Sequence, residues 1–132
     1  MPEVNREAAV AEFERLAGTA DVDIDTSRLS EEEAGEVNET RDAFVSAIEN
    51  GLLSVDDEGH AIINVSDGRP MKFRLPLGKD LMIMASTSDD KRMVAMERFV
   101  CALTSKNTVE IGKLSVKEWK LAMRVAGFLS AA

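Results

Sequence analysis

Residues 52–76 read LLSVDDEGHAIINVSDGRPMKFRLP, and this stretch decides the fold class. LLSV and HAIINV are short aliphatic runs separated by DDEG, whose acids and glycine suit a tight turn. Ser66-Asp67-Gly68-Arg69-Pro70 supplies a second turn. MKFRL then alternates apolar and basic residues, the period of a strand with one face toward solvent. Pro76 ends that strand because it has no N–H to give to a ladder. The reading is a three-stranded antiparallel meander over residues 52–75, with His60 as a solvated turn residue.

Both flanks read as helix. Upstream, residues 5–17 place Ala9, Val10, Phe13, Leu16 and Ala17 on one face, and Gly18 is positioned to stop the helix. Residues 19–29, TADVDIDTSRL, carry no helical period and read as a loop or extended arm. Ser30 and Glu33 have capping-box spacing, in which each side chain satisfies the other's orphan backbone N–H. The helix they open should run to Asn50 along Ala34, Val37, Phe44 and Ile48, with the Arg41 stem covering apolar neighbours. Asn50-Gly51 then offers a left-handed stop with Leu52 just beyond it.

Downstream, residues 78–86 form a short helix around Leu81, Met82 and Met84. Ser88 with Asp89 and Asp90 is the expected start of a longer helix to Thr104, its face built from Met93, Met96, Val100 and Leu103. A connector over 105–114, with a helical turn around Val109, leads to a second capping box at Ser115 and Glu118. The last helix should run from Val116 to Leu129. The expected fold is therefore α+β: two N-terminal helices, the meander, and three C-terminal helices, in one domain over 1–132. Phe44, Ile48, Ile63, Phe73, Leu81, Met96, Val100, Leu103, Trp119 and Leu129 are the expected core.

The chain has 132 residues, of which 45% are apolar and 30% charged, the balance of an ordinary globular domain. A single cysteine, Cys101, excludes an internal disulfide, and its neighbours Val100 and Ala102 suit burial as a small apolar residue. The start MPEVNREAAVAEFERL lacks a basic region followed by an apolar one, and no apolar run is long enough to cross a membrane. The expectation is a cytoplasmic protein. Net charge is −8, which argues against nucleic-acid binding by the chain as a whole. That total hides a split: residues 1–59 carry 17 acids and 4 bases, residues 60–132 carry 7 acids and 12 bases. Opposed charges of this kind close within the chain or pair one protomer with another in a homo-oligomer. Arg69, Lys72, Arg74, Lys91, Arg92 and Arg98 are the cations expected to contact the acidic helices.

Most catalytic constellations need residues this chain lacks. One histidine cannot build a zinc site of the HExxH kind, and neither GxGxxG nor GxxxxGK[ST] occurs. No nucleophile–base pair stands out, and the expectation is a protein without enzymatic activity, cofactor or metal. Asp21, Asp23, Asp25 and Glu32 occupy positions 1, 3, 5 and 12 of a calcium-loop frame. Thr26 takes the place of the required glycine, however, and Arg28 the place of an apolar residue, so an acidic linker is the better reading. A calcium-binding regulator is retained as a lesser alternative. Of seven methionines six lie beyond residue 70. Core packing explains them by spacing, and an adaptable binding surface explains them by chemistry.

The order of segments from MKFRLP onward resembles a known family. A basic strand ending in Pro precedes a short helix (GKDLMIM) and a polar break (STSDD). A helix ending in ALTS follows, then VEIGKLS, VKEW and a terminal VAGFLS. This sequence of motifs resembles the phage tail assembly chaperones of Mu-like and related contractile-tailed phages, over residues 52–130, with residues 1–50 as an acidic helical extension. The resemblance implies a non-enzymatic chaperone in the host cytoplasm, absent from the mature virion. Its implied partner is the tape measure protein, with the tail tube protein as a second candidate. A small structural tail or baseplate subunit is the alternative in the same setting. Together with the composition, the resemblance makes Met82, Met84, Met93 and Met123 the candidate partner-binding residues, with Phe128 as an aromatic anchor.

Overall fold

Asn5 opens the first helix by accepting a hydrogen bond from Ala8 N–H at 2.8 Å, so an N-cap fixes where the chain begins to coil. The computed structural model describes residues 5–85 and 88–130. Helix α1 spans Arg6–Ala20, α2 Glu31–Glu49, and strands β1 Leu53–Val55, β2 Ala61–Ile63 and β3 Met71–Lys72 follow. Helix α3 spans Gly78–Ala85, and a 3₁₀ turn at Asp89–Lys91 leads into α4, Arg92–Thr104. Helices α5, Thr108–Gly112, and α6, Val116–Ser130, complete the described chain.

The fold is α+β, with six helices among the described residues and one antiparallel sheet in the order β1-β2-β3. Leu53 pairs with Ile63, and Ile63 with Met71, so one apolar row crosses all three strands. Those three side chains and Ala61 and Phe73 are buried, while Lys72 between them is exposed: the alternation of a sheet with one wet face. The meander therefore lies where the sequence places it, but its third strand ends at Lys72 rather than at Pro76, because Arg74 N–H turns away from the sheet to Leu103 O at the end of α4. The first turn of the meander depends on Gly59, which has φ +83° and whose added Cβ would lie 1.9 Å from Thr19 Oγ1 of α1. Asp56 completes the turn by accepting the Glu58 and His60 N–H groups. His60 is half-buried rather than solvated, because the turn packs down toward α1.

Four helices rather than three follow the sheet. Asn107 and Glu110 form a reciprocal capping box, and it closes α5 within the expected connector. At the first helix Gly18 is no stop. The chain continues to Ala20 because Ala17 and Ala20 are buried, and that burial offsets the roughly 1 kcal/mol a helical glycine costs. Asp21 takes the left-handed conformation instead, and Val22 N–H reaches back to Ala17 O at 3.0 Å. The stop at Asn50-Gly51 is as expected: Gly51 has φ +78°, and Leu52 N–H bonds to Ala47 O. Ser88 does not cap a long helix. Its hydroxyl bonds to Asp90 inside the 3₁₀ region, and α4 begins later, at Arg92. Ser86 and Thr87 of the expected polar break, and Ser86 at the end of the expected short helix, lie outside the described residues.

The interior is one apolar cluster with members from every layer, from Ala9, Phe13 and Leu16 on α1 to Phe128 and Leu129 on α6. At its centre the rings of Phe13, Phe44 and Phe128 meet pairwise, with centroids 5.6, 5.5 and 5.1 Å apart. Such tilted and edge-on contacts add about 0.5–1.5 kcal/mol per pair beyond area burial. Of the expected core, Phe44, Ile48, Ile63, Phe73, Val100, Leu103 and Leu129 are buried. Met96 and Trp119 are half-buried against the cluster. Leu81 is a correction: it is 40% exposed. Helix α3 turns Asp80 inward and leaves Leu81 outside. Alanine at Phe44 or Phe128 should cost about 3–5 kcal/mol each in urea unfolding, and the pair less than the sum because they share a contact. Alanine at Leu81 should cost under about 0.5 kcal/mol in the same measurement.

Candidate protein-binding face

The inward turn of α3 has a specific cause. Arg74, just after β3, holds Asp80 with two hydrogen bonds, Nη1 to Oδ2 at 2.6 Å and Nη2 to Oδ1 at 2.9 Å. Asp80 also accepts the Leu77 N–H at 2.7 Å, capping the helix on which it sits. Arg74 N–H in turn bonds to Leu103 O at the end of α4. One bidentate pair thus ties β3, α3 and α4 together. The Arg74 guanidinium holds the Asp80 carboxyl down at about 2 against the upward push of its burial, with Leu77 N–H adding to the effect.

With Asp80 buried, the apolar side chains of α3 have to point elsewhere. Leu77, Leu81 and Met82, with Met93 and Val94 at the start of α4, are five of the eight large apolar residues exposed among the described residues. Met82 is 67% exposed and Met93 60%. Helices α3 and α4 pack on one another, so these residues belong to one hairpin. These are exposed thioether side chains, unbranched and conformationally adaptable, on the same two helices as exposed leucine and valine. A site of this kind needs no titrating group.

The expected binding residues divide. Met82 and Met93 are exposed on this hairpin. Met84 and Met123 are half-buried against the apolar cluster. Phe128 is a correction: it is 7% exposed, locked between Phe13 and Phe44, and serves as core rather than anchor. Leu77 and Val94 join the face without having been singled out.

Within the described chain the expected cations do not reach the acidic helices. Lys72 pairs with Asp56 at 3.0 Å and Glu58 at 3.7 Å in the β1–β2 turn, and Arg69 with Glu110 of α5 at 3.6 Å. Arg74 is taken by Asp80. Lys91, Arg92 and Arg98 make no ion pair among the described residues. The acidic helices instead use cations of their own: Arg6 reaches Asp42 and Glu49, and Arg15 reaches Glu12 and the Val55 and Asp56 carbonyls. In the acidic arm, Asp23 and Asp25 accept the N–H groups two residues on, so these carboxylates shape the loop.

Glu118 is the second buried acid of consequence. It accepts Ser115 N–H at 2.9 Å and Ser66 N–H at 2.8 Å, joining the start of α6 to the β2–β3 turn. Burial pushes its carboxyl up, but the N–H groups of Ser115 and Ser66 outweigh this and hold it below the usual range. Carboxyls held low when folded stabilise the protein fully above their unfolded pKa, near 4, and lose that contribution as pH falls through the folded value. Stability should therefore decline between about pH 4.5 and about pH 2, the lower bound set by Asp80. Asp80→Asn should reduce the slope of that decline in pH-dependent urea unfolding, and should cost about 2 kcal/mol at pH 7.

No known protein family, curated protein or solved structure matches the chain. Among the described residues no helix is long and apolar enough to cross a membrane.

Proposed function

We propose that the protein is a non-enzymatic assembly chaperone of the phage-tail kind, holding the tape measure protein in the host cytoplasm while the tail is built. The observation that carries this reading is the exposed apolar face of the α3–α4 hairpin, with Met82 and Met93 at 67% and 60% exposure. A tape measure protein is long and helical, and its apolar stripes aggregate when uncovered. A holder must cover such stripes without requiring one side-chain pattern, and flexible methionines beside leucine and valine meet that requirement. The Arg74–Asp80 clamp supports the reading from below: it fixes the backbone of the hairpin while leaving the apolar side chains adaptable. The same face accounts for why α3, a two-turn helix, buries an acid and exposes Leu81 and Met82. Release on tail completion fits a surface of modest size whose partner is displaced as tube subunits polymerise.

The test is co-expression. Met82→Ser and Met93→Ser together should leave the urea midpoint within about 0.5 kcal/mol of the parent in stability, as for exposed sites. They should also abolish the solubility that the parent confers on a co-expressed tape measure protein. Retained rescue by this double variant would remove the α3–α4 face from consideration. Detection of the protein in purified mature tails would favour the structural-subunit alternative.

A further inference from the structure

A second feature of the molecule lies on another side, between α2 and α6. These helices run antiparallel, with α2 packed on α1 and β1, and α6 packed on α4 and β2. Between them lies a cleft of about 440 Å³, floored by Phe13 and Phe128 and walled by Val22, Ile24 and Val37. A smaller cleft of about 180 Å³ continues it along Ala43, Ser46 and Ala47 of α2 and Leu121 of α6. Arg124 lines both, so the two form one groove. From Glu36 to Asn50 it follows α2 for about 20 Å, the length of a helix of three to four turns.

The charges along it are ordered. Asp23 and Glu36 border the wide end, Arg124 stands in the middle, and Lys117 and Lys120 border the narrow end. All five are exposed, and none makes an ion pair among the described residues. Gly127, in the interior of α6, lines the wide cleft, and a Cβ added there would meet nothing within 4 Å. No close packing and no positive φ requires that glycine, although it costs α6 roughly 1 kcal/mol relative to alanine. What it preserves is the open floor.

We infer that the α2–α6 groove is a docking site for an amphipathic helix of a partner protein, distinct from the α3–α4 face. The occupant lays an apolar face on the half-buried Val22, Ile24 and Val37, above the buried rings of Phe13 and Phe128, by the helix-in-groove mode. The small residues Ala43, Ser46 and Ala47 let its backbone approach α2. Its acidic residues face Arg124, Lys120 and Lys117, and a basic residue in its first turn faces Asp23 and Glu36. The helix dipole sets the same direction: the partly positive N-terminus lies at the acidic end and the partly negative C-terminus at the lysines, so the occupant runs parallel to α2. Charge order, rather than exact side-chain fit, selects the partner.

The probe is a labelled synthetic helix of about four turns, leucine on one face, lysine in the first turn and glutamate along one edge of the rest, titrated by fluorescence anisotropy. Saturable binding should weaken as salt rises. Gly127→Leu should hold or raise the melting temperature while weakening binding by at least about tenfold. Lys120→Glu with Arg124→Glu should also lose the probe, and a probe with lysine in place of glutamate should restore binding to that variant. The Met82→Ser, Met93→Ser variant should bind the probe as the parent does. Several results would overturn the inference: no saturation, undiminished binding by Gly127→Leu, or loss through Met82→Ser and Met93→Ser instead, which would move the probe to the α3–α4 face. Sedimentation showing a dimer of the parent that Gly127→Leu dissociates would equally overturn it, since the groove would then be filled by a second copy.

Discussion

Three phenylalanine rings hold this molecule together, and each comes from a different helix. Phe13, Phe44 and Phe128 bring α1, α2 and α6 to one point, with centroids 5.1–5.6 Å apart. The chain has only five phenylalanines, one tryptophan and no tyrosine. Three of its few large rings therefore sit in one contact. The rest of the buried interior is mainly aliphatic, with Phe73, Phe99 and Met71 among its members. The consequence for architecture is direct: α1 and α2 close the core over α6, and their acidic residues are left on the outside.

Charge in this protein does two separable jobs. Where a carboxylate is buried or half-buried it carries structure. Asp80 orients α3 through Arg74, Glu118 joins α6 to the β2–β3 turn, and Asp56 sets the hairpin. Each accepts two or more donors, so each stays ionised in a place where an unpaired acid would be costly. Where charge is exposed, it is largely left without a partner of opposite sign. Asp23 of the acidic arm and Glu36 of α2 line one cleft, and the lysines of α6 line the one beside it. Exposed pairs of this kind contribute little to stability. Their effect is on which partners approach, and in what orientation.

The proposed function and the inferred groove follow from that division. The α3–α4 face is apolar and adaptable, and its backbone is fixed by a buried ion pair. The α2–α6 groove is narrower and polar at its rims, with an order of charge along its length. On the proposed reading, one surface would tolerate many helical stripes and the other would discriminate among them. A protein that holds a long helical partner has use for both.

The sequence by itself determined the elements whose causes are local. The capping box at Ser30 and Glu33 and the Asn50-Gly51 stop operate within a few residues and are present as read, and the meander of residues 52–75 is present with a third strand of only two residues. The exposed Met82 and Met93 were legible only as one of two readings of a methionine-rich stretch. What local rules could not decide is which side of a short, uniformly apolar helix faces inward. In GKDLMIMA almost any rotation buries something apolar, and the choice fell to Arg74, which draws Asp80 into the core and turns Leu81 out. Phe128 went the other way, from a near-terminal residue to the centre of the core, because two rings from distant helices were waiting for it. Pairing of charges was likewise undecidable from composition, since it depends on which turn or helix each cation meets in space. Local hydrogen bonding and hydrophobic period are written in neighbouring residues, whereas rotation and partner choice are settled by contacts between residues far apart in the chain.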